Sequence, residues 1–166
     1  MIKVDPDLLG KEFPLGTFAI TAQDIRAFVE AVGDLNPLYL DPAVARDAGY
    51  PDVIAPPLFC LQLRGERRLP EVELEPGFVS LNGGQDLEFY DDLCAGQAYT
   101  ATAKLAEVYE KTGRSGPLGV IVREVAMKDA DGRTVILSFI MKKKLDTVLS
   151  WEKKIGAIEI QSLSFI

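Results

Sequence analysis

Apolar and polar positions along the chain change from helical spacing in the first third to a period of two after residue 78. Between residues 22 and 32, apolar residues recur every three or four positions, which predicts an amphipathic α-helix. Thr21 and Asp24 match a capping box at its start, and Gly33 supplies the left-handed conformation that ends it. A short leading strand is predicted just before this helix, over residues 13–20.

Two further helices are predicted between residues 42 and 67. The first spans residues 42–48, has a proline in its first turn and ends at Gly49. The second begins with Pro56 and Pro57 and continues toward Arg67. Because its residues are apolar on most sides, we expect this second helix to be buried.

From Phe78 onward, several segments either alternate apolar and polar residues or are apolar on both faces. They predict at least four strands joined by short turns, an arrangement that favours an antiparallel meander. The Asp131–Gly132 pair predicts a hairpin turn over residues 128–133. The apolar phase slips by one residue at Leu105 and Ala106, which indicates a β-bulge. Helices followed by a long antiparallel sheet predict an α+β fold.

Composition narrows the class of protein. The 166 residues, of which 48% are hydrophobic and 26% charged, suit one globular domain. The net charge of -7 argues against nucleic acid as a partner. The sequence shows neither a membrane-spanning apolar run nor a signal peptide, so we expect a cytoplasmic protein that does not bind membranes.

The chain contains two cysteines and no histidine. Cys60 and Cys94 are far apart in sequence and lack a partner with which to form a common metal site, so we expect buried, reduced thiols, no metal site and no cofactor.

The two ends of the chain are expected to lie outside the domain itself. Residues 1–11 form a predicted N-terminal arm, and residues 146–166 form an apolar tail predicted to pack on the domain or on a partner subunit.

The stretch from residue 33 to residue 42 is the candidate site. It combines a helix-ending glycine with Asp34, Asn36 and two prolines, a density of special backbone chemistry that an ordinary loop rarely needs. An alternative interpretation is structural, because aspartate and asparagine both form turns that precede helices.

Several motifs carry a resemblance to a known family. They lie at residues 28–39, 45–49, 54–59, 83–90, 93–96, 108–116 and 131–132. Residues 12–145 thereby resemble the MaoC-like hotdog proteins, the (R)-specific enoyl-CoA hydratases and 3-hydroxyacyl dehydratases, and most closely their N-terminal dehydratase-like domain. The resemblance implies a hotdog fold, in which an antiparallel sheet wraps around a central helix.

The resemblance also implies candidate site residues. In the family, an aspartate and a histidine share the proton transfers. Asp34 lies at the position of the aspartate, and Asn36 lies close beside it. Tyr39 stands at the position of the histidine. A phenol with a pKa of about 10 is a poor proton shuttle at neutral pH compared with imidazole, whose pKa is about 6.5.

Other residues are implied in ligand binding. The family holds the thioester carbonyl with a backbone amide and a helix N-terminus, a region that corresponds to Pro56, Pro57 and Leu58. Gly83 and Gly84 would let an acyl chain approach the backbone, or would simply form a strand bulge.

We therefore expect an acyl-CoA ligand and assembly as a homodimer or with a catalytic hotdog subunit. The leading hypothesis is the non-catalytic, acyl-binding subunit of a heteromeric enoyl-CoA hydratase. One alternative is a homodimeric hydratase whose modified site uses Asp34. The others are a hotdog thioesterase and a non-enzymatic acyl-CoA-binding module.

Overall fold

In the computed structural model, the residues described are 2–63, 73–74, 78–113 and 116–146. Their helices and strands, in chain order, are β1 (Ile2–Lys3), a 3₁₀ helix (Pro6–Leu8), β2 (Glu12–Ala19), α1 (Ala22–Val32), α2 (Pro37–Leu40), α3 (Pro42–Asp47), a second 3₁₀ helix (Pro57–Gln62), β3 (Glu73–Leu74), β4 (Phe78–Phe89), β5 (Ala98–Gly113), β6 (Gly116–Lys128) and β7 (Thr134–Asp146).

Within this part of the chain, five strands form one sheet in the order β2-β5-β6-β7-β4, and every pair is antiparallel. Residues from α1, α3 and the second 3₁₀ helix share one apolar core with residues of β5, β6 and β7. The predicted α+β class is confirmed.

The meander prediction holds only for β5, β6 and β7. β4 pairs with β7 instead of with β5, its neighbour in sequence. The connection between β4 and β5 is not a tight turn. Its residues bond to another segment, since Ala55 N–H donates to the carbonyl of Leu93 at 2.7 Å and Ala95 N–H donates to that of Val53 at 2.9 Å.

Helix α1 has the predicted bounds and the predicted ends. Asp24 N–H donates to Thr21 Oγ1 at 3.1 Å, and the Asp24 carboxylate accepts from the Thr21 backbone, which completes the capping box. Gly33 ends the helix with a φ of 75°. Ile25 and Val29 are fully buried, so one face of α1 anchors it to the core.

The predicted buried helix after Pro56 is corrected by the structure. Residues 57–62 form a 3₁₀ helix in which only Phe59 is buried, whereas Leu58 is 57% exposed and Leu61 37%. Two consecutive prolines lack backbone donors, and the start of this helix has no side-chain cap. The predicted continuation past Leu63 lies outside the described residues.

Two irregularities of the sheet follow from the sequence. The register of β5 against β6 shifts between Leu105 and Glu107, which confirms the predicted bulge. The hairpin between β6 and β7 is also confirmed. Its Gly132 has a φ of 79°, and the Asp129 carboxylate accepts hydrogen bonds from the backbone of Asp131 and Arg133.

The N-terminal arm contacts the domain through backbone pairing and through Val4, which packs against Leu105 and Ile121. β1 pairs with β3. Leu9 bridges to Leu105, and Gly10 N–H donates to the Leu105 carbonyl at 2.9 Å. Apart from Asp146, the predicted C-terminal tail lies outside the described residues.

Candidate functional site

Asp34 lies directly after the left-handed end of α1. Gly33 N–H donates to the carbonyl of Val29 at 2.9 Å, and Asp34 N–H donates to the same carbonyl at 3.1 Å. The side chain of Asp34 is exposed. The end of α1 therefore fixes the backbone of Asp34 and presents its carboxylate at the surface.

Asn36 caps the next helix, which the sequence did not predict. Its Oδ1 accepts from Leu38 N–H at 3.1 Å at the start of α2. Asp41 does the same for α3, where its Oδ1 accepts from Ala43 N–H at 2.8 Å. Asn36 thus has a structural role, because its carbonyl oxygen satisfies a helix donor.

Tyr39 lies in α2 and packs, half-buried, against the main core. Burial raises the pKa of its phenol, and the negative charges of Asp34 and Asp92 raise it further, while a hydrogen bond with Asn36 opposes them. The phenol therefore stays protonated at neutral pH, and can donate a hydrogen bond but is unsuited to act as a base.

Two residues of this neighbourhood were missed by sequence reasoning. Tyr50 Oη donates to Asp92 Oδ2 at 3.0 Å, a bond that raises the pKa of Tyr50. Asp92 also acts on Tyr39 through its charge. The only sequence signal was the Asp91-Asp92 pair at the end of β4, which is indistinguishable from an ordinary polar turn.

Residues 54–56, just before the second 3₁₀ helix, connect the predicted thioester-binding residues to α2. Ile54 N–H donates to the carbonyl of Leu38 at 3.2 Å, next to Tyr39. Pro56 follows and is buried, whereas Pro57 and Leu58 are exposed. Pro56, the first of the predicted thioester-binding residues, therefore lies two residues after Ile54, which is hydrogen-bonded to α2.

A half-open pocket of about 340 Å³, with both polar and apolar lining, lies between α1 and the second 3₁₀ helix. Phe28 and Phe59 form its aromatic wall, with ring centroids 5.6 Å apart in an edge-to-face arrangement. The rest of its lining comprises Ala19, Asp24, Ala27, Ala31, Gln62 and Leu63. Its volume lies in the range of small-ligand pockets.

Gly83 and Gly84 lie on β4, at the opposite edge of the sheet from β2. The register against β7 shifts between Asn82 and Gly84, and Gly84 has a φ of 150°. A bulge is therefore present at these glycines. A side chain at Gly84 would meet no atom within 4 Å, so the backbone there is open.

The cysteines are free thiols, as expected; Cys94 is buried and Cys60 is half-buried. Burial and the nearby charges of Asp92 and Asp91 raise the pKa of Cys94 to about 11. Among the described residues, no group of three or more potential metal ligands comes together. No helix in the same part of the chain is long and apolar enough to cross a membrane.

Comparison with protein families settles the membership of the chain. A family model described as "FAS1-like, dehydratase domain region" matches residues 7–138. The chain belongs to this family. The chain is also similar to the UPF0336 protein of Thermobifida fusca. The two are 32% identical over 144 residues, which cover 83% of this chain and 91% of that relative.

Solved structures resemble the FAS1-like protein in fold. One is the HadBC (3R-hydroxyacyl-ACP dehydratase) complex of Mycobacterium tuberculosis, with a TM-score of 0.65 and 20% identity over 84% of this chain and 99% of that chain. Another is a MaoC-like dehydratase from Rhodospirillum rubrum, with a TM-score of 0.63 and 16% identity over 83% of this chain and 92% of that chain. The predicted hotdog fold and the MaoC-like resemblance are confirmed.

Proposed function

We propose that this chain is the acyl-binding, non-catalytic subunit of a heteromeric enoyl-CoA hydratase or 3-hydroxyacyl dehydratase. The observation that carries the proposal is Tyr39, a phenol with a raised pKa. By the family resemblance, it corresponds to the histidine of a catalytic hotdog chain. The chain contains no histidine that could take over this role.

The chemistry explains why this substitution matters. Hydration of a double bond conjugated with a thioester needs a base for the water and an acid for the α carbon. Removal of a general acid or base typically slows such a reaction by a factor of about 10² to 10⁴. Asp34 alone therefore leaves the proton transfers incomplete, and a second subunit must supply the histidine.

The sheet offers an edge for such a subunit. Among the described strands, β4 pairs only with β7, and its 12 residues contain no proline and no cationic side chain. The other edge strand, β2, contains Pro14 and a register shift next to it. Proline within an edge strand hinders strand addition, so β4 is the edge that suits a partner. The similar HadBC structure is itself a complex.

The pocket between α1 and the second 3₁₀ helix is the proposed site of the acyl chain. Its aromatic and aliphatic lining would bury methylene groups, each of which contributes about 0.8 kcal/mol when removed from water. Asp24 at the pocket already accepts hydrogen bonds from Thr21 in the capping box, so its carboxylate is satisfied without a ligand. We propose acyl-CoA as this ligand.

Co-expression with a histidine-bearing MaoC-like hotdog chain of the same organism tests the proposal. We expect the two chains to co-purify and the complex to hydrate a trans-2-enoyl-CoA. Replacement of the partner's histidine by alanine should abolish this activity, whereas Asp34→Asn in this chain should retain most of it.

The same variants separate the alternatives. A homodimeric hydratase that uses Asp34 would be active without a partner and would lose its activity in Asp34→Asn. A thioesterase would release free CoA from a saturated acyl-CoA. Either result would refute the non-catalytic assignment.

A further inference from the structure

β7 carries apolar residues on both of its faces. Ile136 and Ser138 are buried, and Ile136 belongs to the main core that the sheet shares with the helices. Successive side chains of a strand point to opposite faces of the sheet, so Leu137, Phe139 and Met141 lie on the other face. A continuous apolar run of this kind is typical of a strand that is covered on both sides.

These three residues continue into β6. Val122 pairs with Met141, and Ala126 pairs with Leu137, so all five lie on one face, and we call Val122, Ala126, Leu137, Phe139 and Met141 the outer stripe. Each of them is half-buried. Within the described part of the chain, none of them belongs to either apolar core cluster. The core that the described helices share with the sheet therefore does not include the outer stripe.

Near the start of β6, the same face is already covered. Val120 lies on this face with 0% of its surface exposed, and Leu118 with 9%. Tyr109 and Lys143 pair with Val120 across the strands, so they flank it in the plane of the sheet. Among the described residues, Val120 belongs to neither core cluster. Its burial therefore indicates a covering segment from another part of the chain.

Residues 147–166 begin next to this covered end of the face. Leu118 pairs with Leu145, and β7 ends one residue later, at Asp146. The segment that follows Asp146 in the sequence is therefore the one whose start lies nearest to Val120.

This segment has the length and the pattern to cover the outer stripe. The nine residues from Leu137 to Asp146 extend over about 30 Å, whereas the 20 residues after Asp146 can span up to about 66 Å. Within the segment, Ile158 and Ile160 are separated by one polar residue, as are Leu163 and Phe165. Such alternation is typical of a segment that buries one face.

We propose that residues 147–166 fold back over the sheet and dock on the outer stripe. The segment thereby covers apolar surface that would otherwise favour association with other molecules. This docking goes beyond the proposed function, because it concerns the face of the sheet that lies opposite the helices.

Fluorescence of Trp151 tests the docking, since it is the only tryptophan in the sequence and lies within this segment. In the folded chain, we expect emission at a shorter wavelength than in the unfolded chain, at every protein concentration. Phe139→Thr should shift the emission toward that of the unfolded chain, while threonine keeps the strand propensity. Phe89→Thr is the matched control and should cause no shift, because Phe89 is a partly exposed phenylalanine that pairs with Ile136 of the opposite face.

Cysteine pairs identify where the segment docks. In a full-length chain with Cys60→Ala and Cys94→Ala, Phe139→Cys is combined with one tail substitution, which is Ile158→Cys, Ile160→Cys, Leu163→Cys or Phe165→Cys. A disulfide needs Cα atoms within about 7 Å, so we expect at least one pair to link within a single chain on mild oxidation. Ala43→Cys, at an exposed position on α3, replaces Phe139→Cys in the control and should give no link.

The results decide between the possible occupants of this face. Emission from the folded chain that matches the unfolded chain, no shift in Phe139→Thr, or no link within one chain would overturn the docking. If disulfides form only between two chains, or if the emission shifts to longer wavelength on dilution, a second copy covers the outer stripe and docking of the chain's own segment is refuted.

Discussion

At the scale of single residues, the phenol of Tyr39 decides what the site can do. Burial, together with the charges of Asp34 and Asp92, raises its pKa above the ordinary value of 10.0. An imidazole in the same place would exchange protons near neutral pH, whereas this phenol holds its proton. Under the proposed function, Asp34 remains as a carboxylate, whereas Tyr39 does not complete the proton transfers.

Tyr39→His should therefore introduce activity. An imidazole near Asp34 restores the missing general acid or base, and we expect the hydration rate of the purified chain to rise by about tenfold or more. Stopped assays of trans-2-enoyl-CoA hydration measure it. Tyr39→Phe is the control and should give no increase; a folded Tyr39→His variant with no gain would show that the remaining groups are not aligned for the reaction.

Cys94 allows a test of burial at the same scale. Its pKa is raised to about 11, so the folded state favours the neutral thiol. The contribution of this group to stability is thus fully present below its unfolded pKa, about 9, and is lost as the pH rises toward about 11.

Denaturant titrations across this range should show the effect. The free energy of unfolding of the unaltered chain should fall more steeply between these pH values than that of Cys94→Ala, which lacks the titrating thiol. Equal slopes for the two proteins would contradict the burial of Cys94 as the cause.

At the scale of elements, local signals predicted local structure well. The capping box at Thr21 and the glycine at position 33 predicted both ends of α1, because both motifs satisfy backbone groups within a few residues. The phase slip at Leu105 predicted the bulge for a similar reason, since the side chains of a strand must keep facing the core.

Features that depend on contacts between distant segments could not be predicted from the sequence. One example is the pairing of β4 with β7. The residues between β4 and β5 form no tight turn, because they are hydrogen-bonded to residues 53–55. The segment after Pro56 has an apolar composition that predicts a buried helix, yet Leu58 is 57% exposed. In the candidate site, the proximity of Asp34 and Asn36 to Tyr39 could be expected from one stretch of sequence, whereas Asp92 comes from a remote loop.

The role of Asn36 as a helix cap gives a prediction for α2. Asn36→Ala removes the acceptor for Leu38 N–H and should lower the free energy of unfolding by about 1 kcal/mol. Asn36→Asp keeps an acceptor oxygen and should cost much less. Chemical denaturation of both variants measures the difference, and equal losses would indicate that Asn36 acts in another way.

At the scale of the whole molecule, the two edges of the sheet differ. β2 carries a proline within its span, whereas β4 is long and presents the partly exposed Leu81. Lysine on an edge strand opposes the addition of another strand.

Leu81→Lys should therefore weaken association with the histidine-bearing subunit by about tenfold or more, while Thr17→Lys on β2 should leave it nearly unchanged. Sedimentation of mixed subunits at several concentrations measures both. If Thr17→Lys were the more harmful substitution, the partner would bind the other edge.

The most direct test of the central claim is the rate of enoyl-CoA hydration by the purified chain at neutral pH, without any partner. We predict at most a trace of activity, lower by a factor of about 10² or more than that of the reconstituted complex, because the chain lacks the histidine of the proton-transfer pair. Hydration by the isolated chain at a rate comparable to that of the complex would contradict the account.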